Sequence, residues 1–321
     1  MPNVPLLTGE HVRAAVSPSE AVDVVRAAFL AYARGEWTMP PKTYVEAYPA
    51  GDFRAMPALG AGFALLKWVT SFPGNPARGL PTVTGLVLLS SADDGSLRAV
   101  LDTAAVTARR TGAAAVLAAE VLRRPDAGPA AVVGAGVNGR AAAETLVARG
   151  HAVALWDVDA DRAAAVAGEI GAAVAGSREE ALDADVVVTV TPGHDLLFPE
   201  GSLRAGQHVS LMGADGPGKA EMDAQELARV AHGAGVLVVD EWEQASHGGD
   251  TSHAVERGLL GRESVRTLGG IVAGEERGRR SDADVTVFDS TGLAIQDLAI
   301  AIAAVRKYDA GELQGVETIA L

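Results

Sequence analysis

Gly134-Ala135-Gly136-Val137-Asn138-Gly139 sits between an apolar run, Pro129-Ala130-Ala131-Val132-Val133, and a helix-like stretch from Arg140 to Arg149. A bare Gly-x-Gly-x-x-Gly constrains little, but in strand–turn–helix order it marks a nucleotide-binding unit. Gly134 permits the tight turn, Gly136 lets backbone approach a pyrophosphate, and Gly139 lets helix and strand pack closely. The helix N-terminus, with Val137 and Asn138, offers unpaired N–H groups and a partial positive charge to phosphates. A second apolar strand, Ala152 to Trp156, ends in Asp157, and 157 − 134 gives 23 residues. That is close to the ~20 expected of the acid that binds a ribose diol. A carboxylate there repels a 2′-phosphate, so the expected cofactor is NAD rather than NADP. The alternative is a glycine turn in some other α/β protein; motif, flanks and acid together favour the dinucleotide.

The rest of the chain fits that start. Strand candidates at 130–133, 152–156, 185–190, 207–211, 235–239 and 284–288 alternate with helix candidates at 138–149, 160–168, 222–232 and 292–306. Such alternation means βαβ units and a mostly parallel sheet. Upstream, residues 9–34 read as helical, 38–90 as short strands and turns, and 104–122 as an alanine-rich helix. Arg123 to Pro129 is the best linker. The expected fold is therefore α/β: a Rossmann domain over 126–299 and a smaller α+β domain built from 1–125 and 300–321, with the last helix returning to the first domain.

With 321 residues and 48 % hydrophobic content the chain has enough length and apolar mass for two domains. A net charge of −14 and a pI near 4.9 argue against nucleic acid or an anionic membrane as main partner. The absence of cysteine removes disulfides, thiolate catalysis and cysteine metal sites. Met1-Pro2-Asn3-Val4-Pro5 lacks a basic start followed by an apolar core, and runs such as Val186-Val187-Val188 are too short to cross a bilayer. A cytoplasmic protein is expected.

Chemistry in a dinucleotide fold concentrates at the carboxyl ends of the strands. Thr189-Val190-Thr191-Pro192-Gly193 lies at one such end, where its hydroxyls either bond a ribose or carboxamide or serve turn geometry. Asp215 follows the next strand among glycines, as a cleft-facing carboxylate or as an Asx turn or helix cap. In the first domain, Lys67 stands alone in the apolar strand Ala64-Leu65-Leu66-Lys67-Trp68-Val69 and is either snorkelling or functional. Arg109 and Arg110 read as lying near the start of the alanine-rich helix, against its dipole, which calls for an anion: a substrate carboxylate or a nearby Asp or Glu.

Several stretches together resemble the ornithine cyclodeaminase/mu-crystallin family. They are Phe53-Arg54-Ala55-Met56-Pro57, the Lys67 strand, Phe72-Pro73-Gly74-Asn75-Pro76, Gly79-Leu80-Pro81-Thr82 and Thr107-Ala108-Arg109-Arg110-Thr111-Gly112-Ala113. The glycine fingerprint, Gly213 to Glu221 and Asp289 to Asp297 complete the set, in order from about Pro40 to Asp297. The resemblance implies a homodimer paired through the first domain, which also binds substrate, and a cleft between that domain and the NAD domain. By position, Lys67 and Arg110 resemble the residues that hold an amino-acid carboxylate and polarise the reacting centre, and Asp215 resembles the acid/base. Thr82 and Thr111 resemble cleft residues that seat substrate or cofactor phosphates.

Two departures weigh against ornithine as substrate. Lys42 stands where ornithine-specific members carry an arginine, keeping the charge without the bidentate fork. Arg54 stands where they carry a glutamate that welcomes the side-chain amine. The resemblance therefore implies a dehydrogenase of a small, alanine-like amino acid, with Lys42, Arg54, Lys67 and Arg110 toward substrate. The alternatives are an ornithine- or lysine-type cyclodeaminase, a cyclic ketimine reductase, or a binding protein that keeps the cofactor site without catalysis. His247 and His253 bracket a surface loop near a helix start, and no metal is expected.

Overall fold

The computed structural model describes residues 3–193, 195–214 and 218–321. In chain order its elements are β1 (Asn3–Leu7), α1 (Gly9–Ala15), α2 (Pro18–Ala33), β2 (Thr43–Ala47), β3 (Gly51–Gly60), β4 (Phe63–Ser71), β5 (Val83–Ser91), β6 (Leu97–Asp102) and α3 (Thr103–Leu122). There follow β7 (Ala130–Val133), α4 (Val137–Ala148), β8 (Val153–Trp156), α5 (Ala160–Ile170), β9 (Ala173–Val174), α6 (Arg178–Leu182), β10 (Val186–Thr189) and β11 (His208–Leu211). The remainder is α7 (Ala224–Arg229), β12 (Gly235–Val239), α8 (Trp242–Ala245), α9 (Asp250–Glu256), β13 (Val265–Thr267), α10 (Leu268–Val272), β14 (Val285–Asp289), α11 (Ala294–Asp309) and β15 (Glu317–Ala320). The stretch 9–34, expected to be helical, forms two helices, because Ser17 caps Glu20 N and Pro18, lacking an N–H, suits the first turn of a new helix.

Two compact units divide the chain: one runs to Arg110 and resumes over Leu293–Leu321, the other is Thr111–Gly292. The expected boundaries, at 125/126 and 299/300, lie further along at both points. The Arg123–Pro129 stretch is fastened into the second unit, since Asp185 Oδ2 accepts from Arg124 Nη2 and from Gly128 N, both at 2.7 Å. All of α11 falls in the first unit.

The first unit is built on a seven-stranded sheet in the order β15-β1-β6-β5-β4-β3-β2. Only β1 and β6 run parallel; the other neighbours are antiparallel. Side chains on a strand alternate between faces, so β4 sends Leu65, Lys67 and Val69 inward and Leu66 and Trp68 outward. The inward face packs against α11, which also contacts α1 and α2. The outward face carries Val45, Phe53, Leu66, Trp68 and Leu86, with Phe53 stacked on Trp68 at 5.7 Å between ring centres.

The second unit holds eight parallel strands in the order β13-β12-β14-β11-β10-β7-β8-β9. Its inner strands are buried throughout, the expected consequence of helices on both faces and the reason they read as continuous apolar runs. Strand order reverses between β7 and β10, which pair in parallel, and this is the topological switch point at which open α/β sheets bind ligands.

Loops leaving the carboxyl ends of these strands turn sharply, and buried carboxylates take up their freed N–H groups. Asp240, after β12, accepts from Ser290 Oγ at 3.0 Å, Thr291 Oγ1 at 3.0 Å and Gly292 N at 2.6 Å. Asp289, closing β14, accepts from Thr251 N at 2.7 Å. Replacing Asp240 by Ala removes a shared acceptor from three buried residues at once. Asp240→Ala is expected to lower the unfolding free energy by about 3 kcal/mol, read from urea denaturation followed by circular dichroism.

Candidate active site

The glycine turn of the second unit has the spatial demands that its sequence implies. Gly134 has φ +107°, and a Cβ on it would lie 2.5 Å from the Val190 carbonyl oxygen at the end of β10. A Cβ on Gly139 would overlap the Gly134 carbonyl oxygen, so only glycine lets α4 start this close to β7. Gly136 forms the N-cap of α4 without a side-chain bond, and space around it is open. The first N–H groups of α4 are thus left for a ligand. Val137 is exposed, Asn138 half-buried.

Asp157 follows β8 and closes on this turn. Its Oδ2 accepts from Ala135 N at 2.6 Å, and its Oδ1 from Asp159 N at 2.8 Å and Arg162 Nη2 at 2.6 Å. Burial works to raise its pKa, but the bonds from Arg162, Asp159 N and Ala135 N outweigh it and hold the group below its ordinary value. A fixed anion therefore stands beside the glycine loop. At the end of β10, Thr189 is fully buried, Thr191 half-buried and Pro192 exposed.

In the first unit the sequence-predicted cations converge on a residue to which the sequence reading gave no role. Lys67 Nζ donates to Asp297 Oδ1 at 2.9 Å and to Thr107 Oγ1 at 2.7 Å. Arg110 Nε lies 3.6 Å from the same Asp297 oxygen, and Arg110 Nη1 donates to Gln296 Oε1 at 3.3 Å. Asp297 stands in the first turn of α11, where the helix dipole favours a carboxylate. Lys67 is not snorkelling, because only 1 % of it is exposed. Burial pushes its pKa down from the ordinary 10.5 to about 8; Asp297 pulls it up, while Arg110 and Arg54 press it further down.

Arg109 and Arg110 lie well inside α3, which begins at Thr103, rather than at its N-terminal end. Their charge does not oppose the dipole there, and Asp297 is the anion beside Arg110. Arg54, on β3, bonds Asp52 through Nε at 2.6 Å and sits 5.4 Å from the centre of the Tyr44 ring. Lys42 is half-buried just before β2. Thr82 precedes β5, and its carbonyl accepts from Phe72 N at 2.8 Å. Thr111, assigned to the second unit, is buried with Oγ1 unbonded. Asp215 lies outside the described residues. His253 Nε2 donates to the Lys219 carbonyl at 2.9 Å and His247 Nδ1 to the Glu243 carbonyl at 3.0 Å. Among the described residues, no group of three or more His, Asp or Glu is placed to hold a metal ion.

Sequence reasoning passed over Gln296, Asp297, Thr107 and Glu221. The signal for the first two was present: a Gln-Asp pair opening a helix that is otherwise apolar from Leu298 to Ile302. What it could not supply was the partner across the fold.

The model of the ornithine cyclodeaminase/mu-crystallin family matches residues 4–311. The chain belongs to that family. It is 41 % identical over 303 residues to an alanine dehydrogenase of Archaeoglobus fulgidus, with 92 % of each chain covered. Among solved structures, an archaeal alanine dehydrogenase dimer with bound NAD matches with a TM-score of 0.91 and 38 % identity, over 100 % of both chains. The Δ1-pyrroline-2-carboxylate reductase of Thermococcus litoralis, in complex with NADH and L-proline, matches with a TM-score of 0.89 and 26 % identity, over 99 % of this chain and 100 % of that one. No helix among the described residues is long and apolar enough to cross a membrane.

The buried Lys67 makes a testable demand on stability. Between pH 8 and 10.5 the unfolded chain keeps a proton on Lys67 that the folded chain has released, so this group's contribution grows as pH rises through that window. The unfolding free energy of the wild type minus that of Lys67→Met is expected to increase from pH 8 to 10.5 in urea denaturation; a flat difference would contradict the lowered pKa.

Proposed function

We propose that the chain is an NAD-dependent oxidoreductase that interconverts a small, alanine-like L-amino acid and its imino or keto acid. The observation that carries this reading is the buried cluster of Lys67, Arg110 and Asp297. Two cations share one carboxylate, which leaves one positive charge for a ligand anion. Arg110 Nε, Gln296 Nε2 and Asp297 Oδ2 are buried without a hydrogen-bond partner, so donors and an acceptor are both unspent. An amino acid brings the matching groups, a carboxylate and an amine. The similarity to alanine dehydrogenases supports the same class of substrate.

The residues of the second unit fit NAD. Gly134, Gly136, Val137, Asn138 and Gly139 would hold the pyrophosphate, Asp157 the ribose diol, and Thr189, Thr191 and Pro192 the far end, with Thr82 and Thr111 as further seats for phosphate or substrate. When bound, the nicotinamide supplies the hydride acceptor for Cα oxidation, or the donor in reverse. The chain's own residues do the rest. Arg110 and Lys67 grip the substrate carboxylate and orient Cα. Asp215 takes the proton of the water that attacks the imine carbon, after which ammonia leaves with a proton. Arg54, neutralised by Asp52, leaves no carboxylate to welcome a second amine, which disfavours ornithine; Lys42 adds positive charge at the start of β2.

A panel of alanine, ornithine, lysine and pyrroline- or piperideine-carboxylates, assayed with NAD(H) and NADP(H), tests the reading. Net NADH formation with alanine supports it. Ammonia release without net NADH identifies a cyclodeaminase instead. Arg110→Met is expected to raise KM for the amino acid about 10- to 100-fold, the worth of a charged hydrogen bond. Asp215→Asn is expected to lower kcat about 100-fold or more with NADH affinity nearly intact.

We also propose a cytoplasmic homodimer. The outward sheet face exposes Val45, Leu66, Trp68 and Leu86 to between 38 % and 52 %, a contiguous apolar surface across four paired strands. A second copy with the same face would cover it, and the archaeal relative is a dimer. Trp68→Glu combined with Leu86→Glu is expected to convert the particle to monomer in sedimentation velocity; an unchanged dimer removes this face from the interface.

A further inference from the structure

Glu221 is fully buried, and each of its oxygens accepts one backbone N–H and one hydroxyl. Oε1 accepts from Thr191 N at 2.9 Å and Thr191 Oγ1 at 2.6 Å. Oε2 accepts from Gly213 N at 3.0 Å and Thr189 Oγ1 at 2.7 Å. Glu221 thus joins the carboxyl ends of β10 and β11. Its backbone is held as well, because Glu221 N and Met222 N both donate to Asp250 Oδ1 at 2.7 Å. Burial pushes the Glu221 pKa above its ordinary value, the bonds from Thr191, Thr189 and Gly213 work against that rise, and four donors on two oxygens match the ionised form. A protonated acid would bring a fifth hydrogen and force one hydroxyl to turn.

This arrangement fixes the polarity of Thr191. Its proton is committed to Glu221, and Oγ1 already accepts a longer bond from Gly193 N at 3.3 Å. Toward a ligand at the half-exposed side, the oxygen can only accept. A ribose hydroxyl donates or accepts and is indifferent to that polarity. A carboxamide N–H can only donate, so it alone distinguishes a hydroxyl held this way from one free to rotate.

We propose that Glu221 is a positioning residue for the dinucleotide, turning the Thr191 hydroxyl inward so that Oγ1 stands as an acceptor selective for the N–H of the nicotinamide carboxamide. The inference rests on the NAD-dependent reading above. Its probe is 3-acetylpyridine adenine dinucleotide, which keeps the carbonyl of the carboxamide and lacks the N–H.

Dissociation constants for NAD and for this analogue would be measured by calorimetry on the wild type, Thr191→Ser, Thr191→Val and Glu221→Met. Wild type and Thr191→Ser are expected to prefer NAD by about 5- to 10-fold, the worth of one hydrogen bond. Thr191→Val should lose the preference. Glu221→Met should lose it too, because it removes both acceptor oxygens and leaves the Thr191 hydroxyl free to rotate. A preference that survives Glu221→Met in folded protein overturns the role of Glu221, and one that survives Thr191→Val overturns that of Thr191. Should Glu221→Met fail to fold by circular dichroism, Glu221→Asp, whose shorter side chain draws the carboxylate back from Thr191, is expected to lose the preference, and a preference retained there overturns the role of Glu221. A wild type that binds neither dinucleotide removes the NAD-dependent reading itself, a result distinct from binding both equally, which overturns only the present proposal.

Discussion

A buried carboxylate that collects backbone N–H groups is the interaction on which the working edge of the second unit depends. The carboxyl ends of parallel strands must turn abruptly into loops, and each turn frees donors that burial makes costly to leave unpaired. Asp157, Glu221, Asp240 and Asp289 stand at or beside those ends and take up the donors with two or more bonds apiece in the first three cases. The gain is rigidity where loops are ordinarily mobile. A site made of loop residues holds its geometry only if such a supporting set fixes it.

The first unit solves a different problem with the same kind of group. A lysine in an apolar strand is unfavourable unless its charge is met, and Asp297 meets it from a helix 230 residues away in sequence. That pairing requires α11 to lie on the inner face of the sheet, where it contacts β3 and β4. Packing and electrostatics are therefore one constraint: the helix that completes the core also delivers the counter-charge. Because Arg110 shares the same carboxylate, the cluster remains short of one negative charge, which is the property that suits it to an anionic ligand.

Local pattern made much of this legible. The glycine turn, the alternation of strands and helices after Pro129, and the acid at the end of β8 were readable because each is a short-range consequence of backbone sterics and strand periodicity. The alternation of Leu66, Lys67 and Trp68 likewise put the lysine on one face and the aromatic on the other. Other elements escaped. β1 and β15 pair from opposite ends of the chain, and neither carries a pattern that announces a partner. The break at Ser17-Pro18 was written in the residues, since Ser17, Ser19 and Glu20 precede the amphipathic run that starts at Ala21, yet the stretch on either side reads as helical. Arg109 and Arg110 were placed too near the start of α3, although Asp102, whose Oδ1 accepts from Ala105 N at 2.6 Å, marks that start in the sequence.

By itself the sequence determined the dinucleotide fold, the glycine cradle, the acid beside it and the family, since these depend on residue type at short spacing. Tertiary structure alone decided which anion meets Lys67, how Glu221 sets the polarity of Thr191, and where the two units divide. The physical reason is range: turn geometry and strand period act over a few residues, whereas the charge on Lys67 is settled by whichever carboxylate the packed core brings within three ångströms, here Asp297 at 2.9 Å.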